Sequence, residues 1–151
     1  MSASLEQILT QIVTGLSSFR QISPAPTVRP YKIQQTEFRA GTGALAVIVE
    51  SPEETHQNDL DGRGGGISAQ ASVEAVAEVF DDAWNLAEIL RTNNANPGTG
   101  LAGYTGTVAG SWVQRISVDT TRKGFVPYED GSDEGYYYVR HELTVDFSET
   151  A

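Results

Sequence analysis

Residues 71–90 read ASVEAVAEVFDDAWNLAEIL, and their apolar side chains fit two incompatible secondary structures. Apolar residues recur at helical spacing at positions Val73, Val76, Phe80, Trp84 and Ala87. Apolar residues also occupy every second position from Ile67 to Val79, which is the period of a strand. Whether this stretch is one long helix or a strand followed by a helix decides the fold.

The alternating pattern starts several residues before any helical stripe, which favours a strand at the beginning of the stretch. Asp81 and Asp82 stand where carboxylates favour the positive end of a helix, and Arg91 stands near its negative end. The sequence therefore predicts a strand over 67–78 and a helix over 80–92. Alanines on the inward side of the strand would let the helix pack close to the sheet.

The other elements follow from the same two periods, with prolines and glycines as boundaries. Ser4 and Gln7 have the spacing of a capping box ahead of an apolar stripe. In chain order the predictions are a helix over 4–19, an extended connector over 20–30, strands over 31–39 and 44–50 paired as a hairpin, and strands over 111–119 and 136–147.

Three long segments between these elements are rich in polar residues, glycine or proline. They are predicted to be irregular loops, at 51–66, 92–110 and 120–135. A length of 151 residues suits one domain, so residues 1–151 are assigned to a single domain. The expected fold class is α+β, with a mostly antiparallel β-sheet and two α-helices packed on it.

The net charge of −10 is distributed unevenly along the chain. Residues 1–49 carry +2, residues 50–91 carry −8 and the remainder carries −4. Specific nucleic-acid binding is not expected, because phosphate contacts need clustered Lys and Arg. A mildly basic end and an acidic middle would suit head-to-tail contacts between copies.

The sequence offers no sign of a membrane or secretory protein. Its longest apolar run, ALAVIV (44–49), is far shorter than the roughly 20 residues that span a bilayer. The first residues lack the basic start of a signal peptide, so the chain is expected to stay in the cytoplasm of the cell that makes it. The absence of cysteine excludes thiolate metal sites and cysteine catalysis.

Candidate chemical sites are few, and each has a simpler interpretation. His141 lies on the apolar face of the last predicted strand, so a hydrogen-bonded core histidine is predicted. His56 lies among acidic residues, but the EF-hand spacing fails and a solvated segment is predicted. GRGGG (62–66) lacks the Lys and Ser or Thr of a phosphate-binding loop. No catalytic residue, metal site or cofactor is predicted.

The predicted interface residues fall in two groups. Tyr136 and Tyr138 lie on the polar face of the last strand, and exposed aromatic residues are enriched in interfaces. The other group comes from the acidic segment near the middle of the chain. Its members are Glu53, Glu54, Asp59, Asp61 and Arg63.

The block VEAVAEVFDDAWNLAEIL (73–90) resembles the strand-to-helix block of small tail-completion proteins of tailed bacteriophages, the tail-terminator family. The preceding RPYKIQQTEF resembles that family's proline-led strand after an amphipathic first helix, and YYYVRHELTVDF resembles its closing strand. The matching positions within the block are Val73, Glu74, Ala77, Phe80, Ala83, Leu86, Ala87 and Leu90. Two features depart from the family pattern: Ala75, where a larger residue is frequent, and the long segments 51–66 and 120–135.

The resemblance implies a virion protein without catalytic activity. Family members form a ring, generally a hexamer, at the head-proximal end of the tail tube, where they stop tube growth and dock to the head–tail connector. The implied partners are other copies of the chain, the tube protein and the connector, and the implied locations are the host cytoplasm during assembly and then the virion. Two alternatives stay open: a tube subunit or other neck adaptor, and a small-molecule-binding or enzymatic α+β protein.

Overall fold

The computed structural model describes residues 4–22, 25–31, 44–58, 64–92, 100–127 and 135–149. It is an α+β protein dominated by one mixed β-sheet with a few helices. Its elements are α1 (Leu5–Gly15), α2 (Ser17–Arg20), β1 (Thr27–Pro30), β2 (Ala46–Asn58), β3 (Gly64–Ala77), α3 (Phe80–Arg91), β4 (Gly106–Val108), β5 (Ser111–Pro127) and β6 (Gly135–Glu149).

The stretch that fits two patterns is a strand followed by a helix, as predicted. β3 ends at Ala77 and α3 begins at Phe80. Every second residue of β3 from Ala69 to Ala77 is buried, at most 3% exposed, and four of these five residues are alanine. The small side chains bring α3 close to the sheet, and the predicted strand–helix switch is confirmed.

The sheet has six strands in the order β1-β2-β3-β6-β5-β4. Its pairings are antiparallel except that of β1 with β2, which is parallel. The register between β3 and β6 is continuous, whereas the β2–β3 and β5–β6 pairings each contain two register shifts. The irregular pairings of the described sheet are therefore those made by β2 and β5.

The helices pack against one face of the sheet, which we call the helix face. Helices and strands share one hydrophobic cluster, and its strand members all belong to this face. They include Val47, Val49, Val73, Ala75, Val113, Ile116, Val139, Leu143 and Val145. The opposite face, which we call the open face, carries mainly polar, charged and tyrosine side chains, together with Val76 and Trp112.

The first predicted helix is interrupted. α1 ends at Gly15, Leu16 has an extended backbone (φ −66°, ψ 129°), and α2 follows as a separate four-residue turn. Gly15 is a poor helix former, which favours a break at this point. The capping box between Ser4 and Gln7 is present, and the predicted apolar stripe is buried along its whole length from Leu5 to Phe19.

Two of the predicted loops are wrong over much of their length. β2 continues through residues 51–58 and β3 begins at Gly64, so regular strand replaces most of the loop expected over 51–66. Pro52 is tolerated because it lies at a bulge in an outer part of β2, where no ladder N–H is required. β5 likewise runs to Pro127 through the loop expected over 120–135. The loop over 92–110 contains the short strand β4.

The predicted hairpin between 31–39 and 44–50 is replaced by other pairings. β2 pairs with β3 on one side and with β1 on the other, and β1 comes from the segment expected to be a connector. Residues 32–39 of the predicted strand lie outside the described residues. The last strand, predicted over 136–147, is confirmed and extends by one residue at its start and two at its end.

Candidate functional site: the sheet edges and the open face

Among the described residues, the outer edge of β5 is covered only near its beginning. β4 pairs with Ser111–Val113, and the N–H of Gly103 donates to the carbonyl of Ile116 at 2.8 Å. Beyond Ile116, no strand of the described chain pairs with this side of β5. Every side chain from Asp119 to Lys123 is exposed. We call residues 117–127 the β5 edge; an unpaired edge of this length is a template for pairing with another strand.

The opposite side of the sheet has a second edge that no described strand covers along its whole length. β1 pairs with Ala46–Val49 of β2, and the N–H of Tyr31 donates to the carbonyl of Val49 at 2.9 Å. Beyond Val49, β2 has no outer strand neighbour among the described elements. Pro52, Glu53 and Glu54 are exposed there. We call residues 50–58 the β2 edge.

The two edges have charges of opposite sign. The β5 edge carries Arg122 and Lys123 against Asp119, a net of +1 in a chain whose total is −10. The β2 edge carries Glu50, Glu53 and Glu54, a net of −3. The sheet therefore has a net positive charge at the β5 edge and a net negative charge at the β2 edge.

A charged cluster on the open face links side chains of β2, β3 and β6. Arg140 Nη2 contacts Glu50 Oε2 at 2.6 Å, and Arg140 Nε lies 3.9 Å from Glu74 Oε1. Burial raises the pKa of Glu74, the positive charge of Arg140 opposes that rise, and the charges of Glu50 and Glu142 add to it. Arg140 is thus the cation that the carboxylates of Glu50 and Glu74 share.

The two predicted interface tyrosines lie on this open face. Tyr138 lies in register with Gly124 of β5, and its ring is laid over that glycine. Tyr136 is half-buried. Burial raises the pKa of its hydroxyl, and the negative charge of Glu74 adds to that rise. Tyr138 is in register with Val76 of β3, whereas Glu53 is in register with Gln70, six residues away in the same strand. That spacing is about 20 Å, so the structure does not bring the tyrosines and Glu53 together.

Replacing Gly124 by alanine should displace the Tyr138 ring from the β5 edge. A Cβ at position 124 would lie 2.6 Å from Tyr138 Oη and 2.8 Å from Cζ, so the ring must move. We expect the free energy of unfolding to fall by about 1 kcal/mol, measured by urea unfolding.

The matched control is the same substitution in a Tyr138→Ala background. There the ring is absent, and alanine should be neutral or stabilising by up to about 1 kcal/mol, because glycine loses more backbone entropy in a strand. An equal loss in both backgrounds would show that the ring is not the obstacle.

Aromatic side chains cluster at one end of the sheet, where α3 begins. Phe80 stacks with Trp84 at 6.3 Å and meets Tyr137 edge-on at 5.8 Å, both between ring centroids. Phe125 of the β5 edge lies 5.0 Å from Tyr137, and Lys123 Nζ lies 5.1 Å from the centre of the Trp84 ring. The far end of the β5 edge is therefore held against the helix by aromatic and cation–π contacts.

His141 connects the same helix to the same edge strand. Its imidazole is fully buried, with Nε2 2.8 Å from the Ala87 carbonyl and Nδ1 2.8 Å from Thr121 Oγ1. Because a carbonyl only accepts, Nε2 carries the proton and Nδ1 accepts from the threonine hydroxyl. Burial lowers the pKa of His141. The predicted hydrogen-bonded core histidine is confirmed.

The described residues include a depression that is open to solvent. This depression of about 310 Å³ lies between α1 and β4, and Tyr104 is the one titratable group among its lining residues. No group of three His, Asp or Glu side chains within the described ranges could hold a metal ion. No helix described has both the length and the apolar character needed to cross a bilayer.

The structure places some predicted interface residues and adds others. Asp59, Asp61 and Arg63 lie outside the described residues. Sequence reasoning missed Arg122 and Lys123 as edge residues, because TTRKGFV (120–126) was assigned to the long loop predicted over 120–135. The β-branched and aromatic residues that flank its glycine are the signal that could have indicated a strand.

Comparisons with known proteins add no assignment. No protein-family model matches the chain, and no curated protein matches its sequence. The resemblance to the tail-terminator family therefore depends on the residue pattern alone.

Proposed function

We propose that this chain is a structural subunit that forms a ring at the head-proximal end of a phage tail tube, as a tail terminator. The observation that supports the proposal is the pair of strand edges, on opposite sides of one sheet, that no described strand covers. Soluble proteins generally cover or shorten such edges, because an exposed edge pairs with other chains.

Edges on opposite sides of a subunit favour head-to-tail association. Such contacts are heterologous, since each joins two different surfaces, and they close into a ring when the rotation between neighbours permits. A ring that ends a tube needs this kind of contact and no catalytic group.

Two further features support the phage assignment. The block 73–90 changes from strand to helix between Ala77 and Phe80, in agreement with the family pattern that it resembles. The net charge of −10 suits a ring through which DNA passes, because a negative surface repels phosphate. The partners in this proposal are other copies of the chain, the tail tube protein and the head–tail connector, and the location is the virion.

The test mixes the purified chain with growing tail tubes from the same phage and examines them by negative-stain electron microscopy. We expect closed rings, one end of each tube capped by a ring, and tubes that stop lengthening. Indefinite tubes formed by the chain itself would identify a tube subunit instead. A chain that neither forms rings nor binds tubes would overturn the proposal.

A further inference from the structure

We propose that the β5 edge of one copy docks antiparallel against the β2 edge of a second copy, so that one sheet continues into the next. This inference rests on the proposed function, because it names the two surfaces that meet within the ring. It is carried by strand direction, exposure and charge at the two edges.

Strand direction permits this contact without turning either copy over. β5 and β3 both run antiparallel to β6, and β2 runs antiparallel to β3. β2 and β5 therefore run in opposite directions within one sheet. A second copy in the same orientation, placed beside the first and shifted along the strand direction, presents the β2 edge antiparallel to the first copy's β5 edge. The shift is needed because the two edges lie toward opposite ends of the sheet. The helix faces of both copies then lie on the same side.

The charges favour contact between a β5 edge and a β2 edge over contact between two β5 edges or between two β2 edges. Two β5 edges would place Arg122 and Lys123 of one copy near the same residues of the other. Two β2 edges would oppose two surfaces of charge −3. Like-charge juxtaposition across an interface costs several kcal/mol. Contact between a β5 edge and a β2 edge is the one combination that brings opposite charges together.

Each edge presents an exposed charged side chain, Arg122 on β5 and Glu53 on β2. Arg122 has a side-chain exposure of 72% and lies 3.9 Å from Glu142. Glu53 is exposed on the same face of the sheet, since it is in register with Gln70 of β3. Pro52 supplies no N–H, which shortens the backbone ladder and leaves more of the specificity to these charges.

A different reason for the same charges is protection against aggregation, because charged side chains commonly blunt an exposed edge. The two explanations differ in one respect. Protection needs charge of either sign on each edge, whereas docking needs opposite signs on the two edges. Exchanging the charges between the two edges therefore distinguishes the two explanations.

The experiment uses four variants: Arg122→Glu, Glu53→Lys, the double variant, and Arg20→Glu. Arg20→Glu is the matched control, because Arg20 is an exposed arginine in α2, away from both edges. Self-association is measured by sedimentation velocity at low and high salt, and folding is verified by circular dichroism.

We expect the wild-type chain and Arg20→Glu to associate, more tightly at low salt, since the Debye length falls from about 10 Å at 0.1 M to about 3 Å at 1 M. Each single edge variant should associate at least about tenfold more weakly. The double variant should regain association. An equal mixture of the two single variants should also assemble, because the altered edges attract each other and the unaltered edges still do.

The outcomes separate this inference from the proposed function. The docking assignment would be overturned if both single variants formed rings as stable as those of the wild type. It would also be overturned if the double variant associated as weakly as either single variant. Neither result would contradict the ring itself. A folded wild-type chain that stays monomeric at low salt, alone and with tail tubes, would overturn both.

Discussion

The variant His141→Ala loses about 3 kcal/mol of unfolding free energy at pH 7, the largest effect that we expect of a single substitution here. The imidazole is fully buried, and both of its nitrogens are hydrogen-bonded, to Ala87 of α3 and Thr121 of β5. Alanine leaves a cavity and removes both bonds. Urea unfolding, followed by circular dichroism, measures the loss.

Thr121→Val is the matched control for this substitution. It removes the hydroxyl that donates to Nδ1 while keeping the shape of the side chain, so we expect a loss of only about 1 kcal/mol. Equal losses for the two variants would mean that the imidazole's volume and its bond to α3 contribute nothing.

The same histidine should make stability depend on pH. Burial lowers the pKa of His141 in the folded state, so the unfolded chain binds more protons between the folded and unfolded pKa values. The contribution of His141 is fully present above the unfolded pKa of about 6.5 and declines as the pH falls through the folded value. The difference in unfolding free energy between wild type and His141→Ala should therefore shrink below about pH 6.5. A difference that is constant from neutral to acidic pH would contradict this account.

Arg140→Leu should have the second largest effect, a loss of about 2 kcal/mol at pH 7. The substitution leaves Glu50 and Glu74 on the open face without their cation, next to Glu142. Removal of one partner from a fully buried pair costs about 3–5 kcal/mol, and the lower value follows from the 30% side-chain exposure of Arg140.

The loss in Arg140→Leu should diminish in acid. Glu74 already has a raised pKa, and the loss of Arg140 removes the charge that opposes that rise. A carboxyl whose folded pKa is raised contributes stability that is present below its unfolded pKa and is lost as the pH rises through the folded value. The variant should therefore approach wild-type stability as the pH falls toward about 4.5. Arg140→Leu/Glu74→Gln should recover at least half of the loss at pH 7, and no recovery would show that carboxylate repulsion is not the cause.

The parts of the fold that the sequence predicted are those set by neighbouring residues. The change from a period of two to a helical period between Ala77 and Phe80 is local, and so is the stripe of α1. The burial of His141 followed from its place in an uninterrupted alternation with Val139 and Leu143. In each case one element's own pattern reports the face that it buries.

The parts that could not be predicted depend on contacts between distant segments. Pro52 indicates a loop when read locally, yet a bulge in an outer strand accommodates it. Gly124 indicates a turn, yet the Tyr138 ring covers it within a strand. The pair of Arg140 with Glu50 joins residues 90 positions apart, and it exists only through the register of three strands. The opposite charges of the two edges become visible only once the strand order is known.

The register shifts of the sheet bear on how many copies would close a circle. They lie in the β2–β3 and β5–β6 pairings, which include the strands that carry the proposed contact surfaces, whereas the β3–β6 pairing has none. Each bulge bends its strand and adds right-handed twist. The outer strands of the sheet therefore turn relative to the regular β3–β6 pair at its centre. In a closed assembly that angle, repeated at every joint, would fix the circumference, and deleting the extra residue of one bulge would change the number of copies per turn.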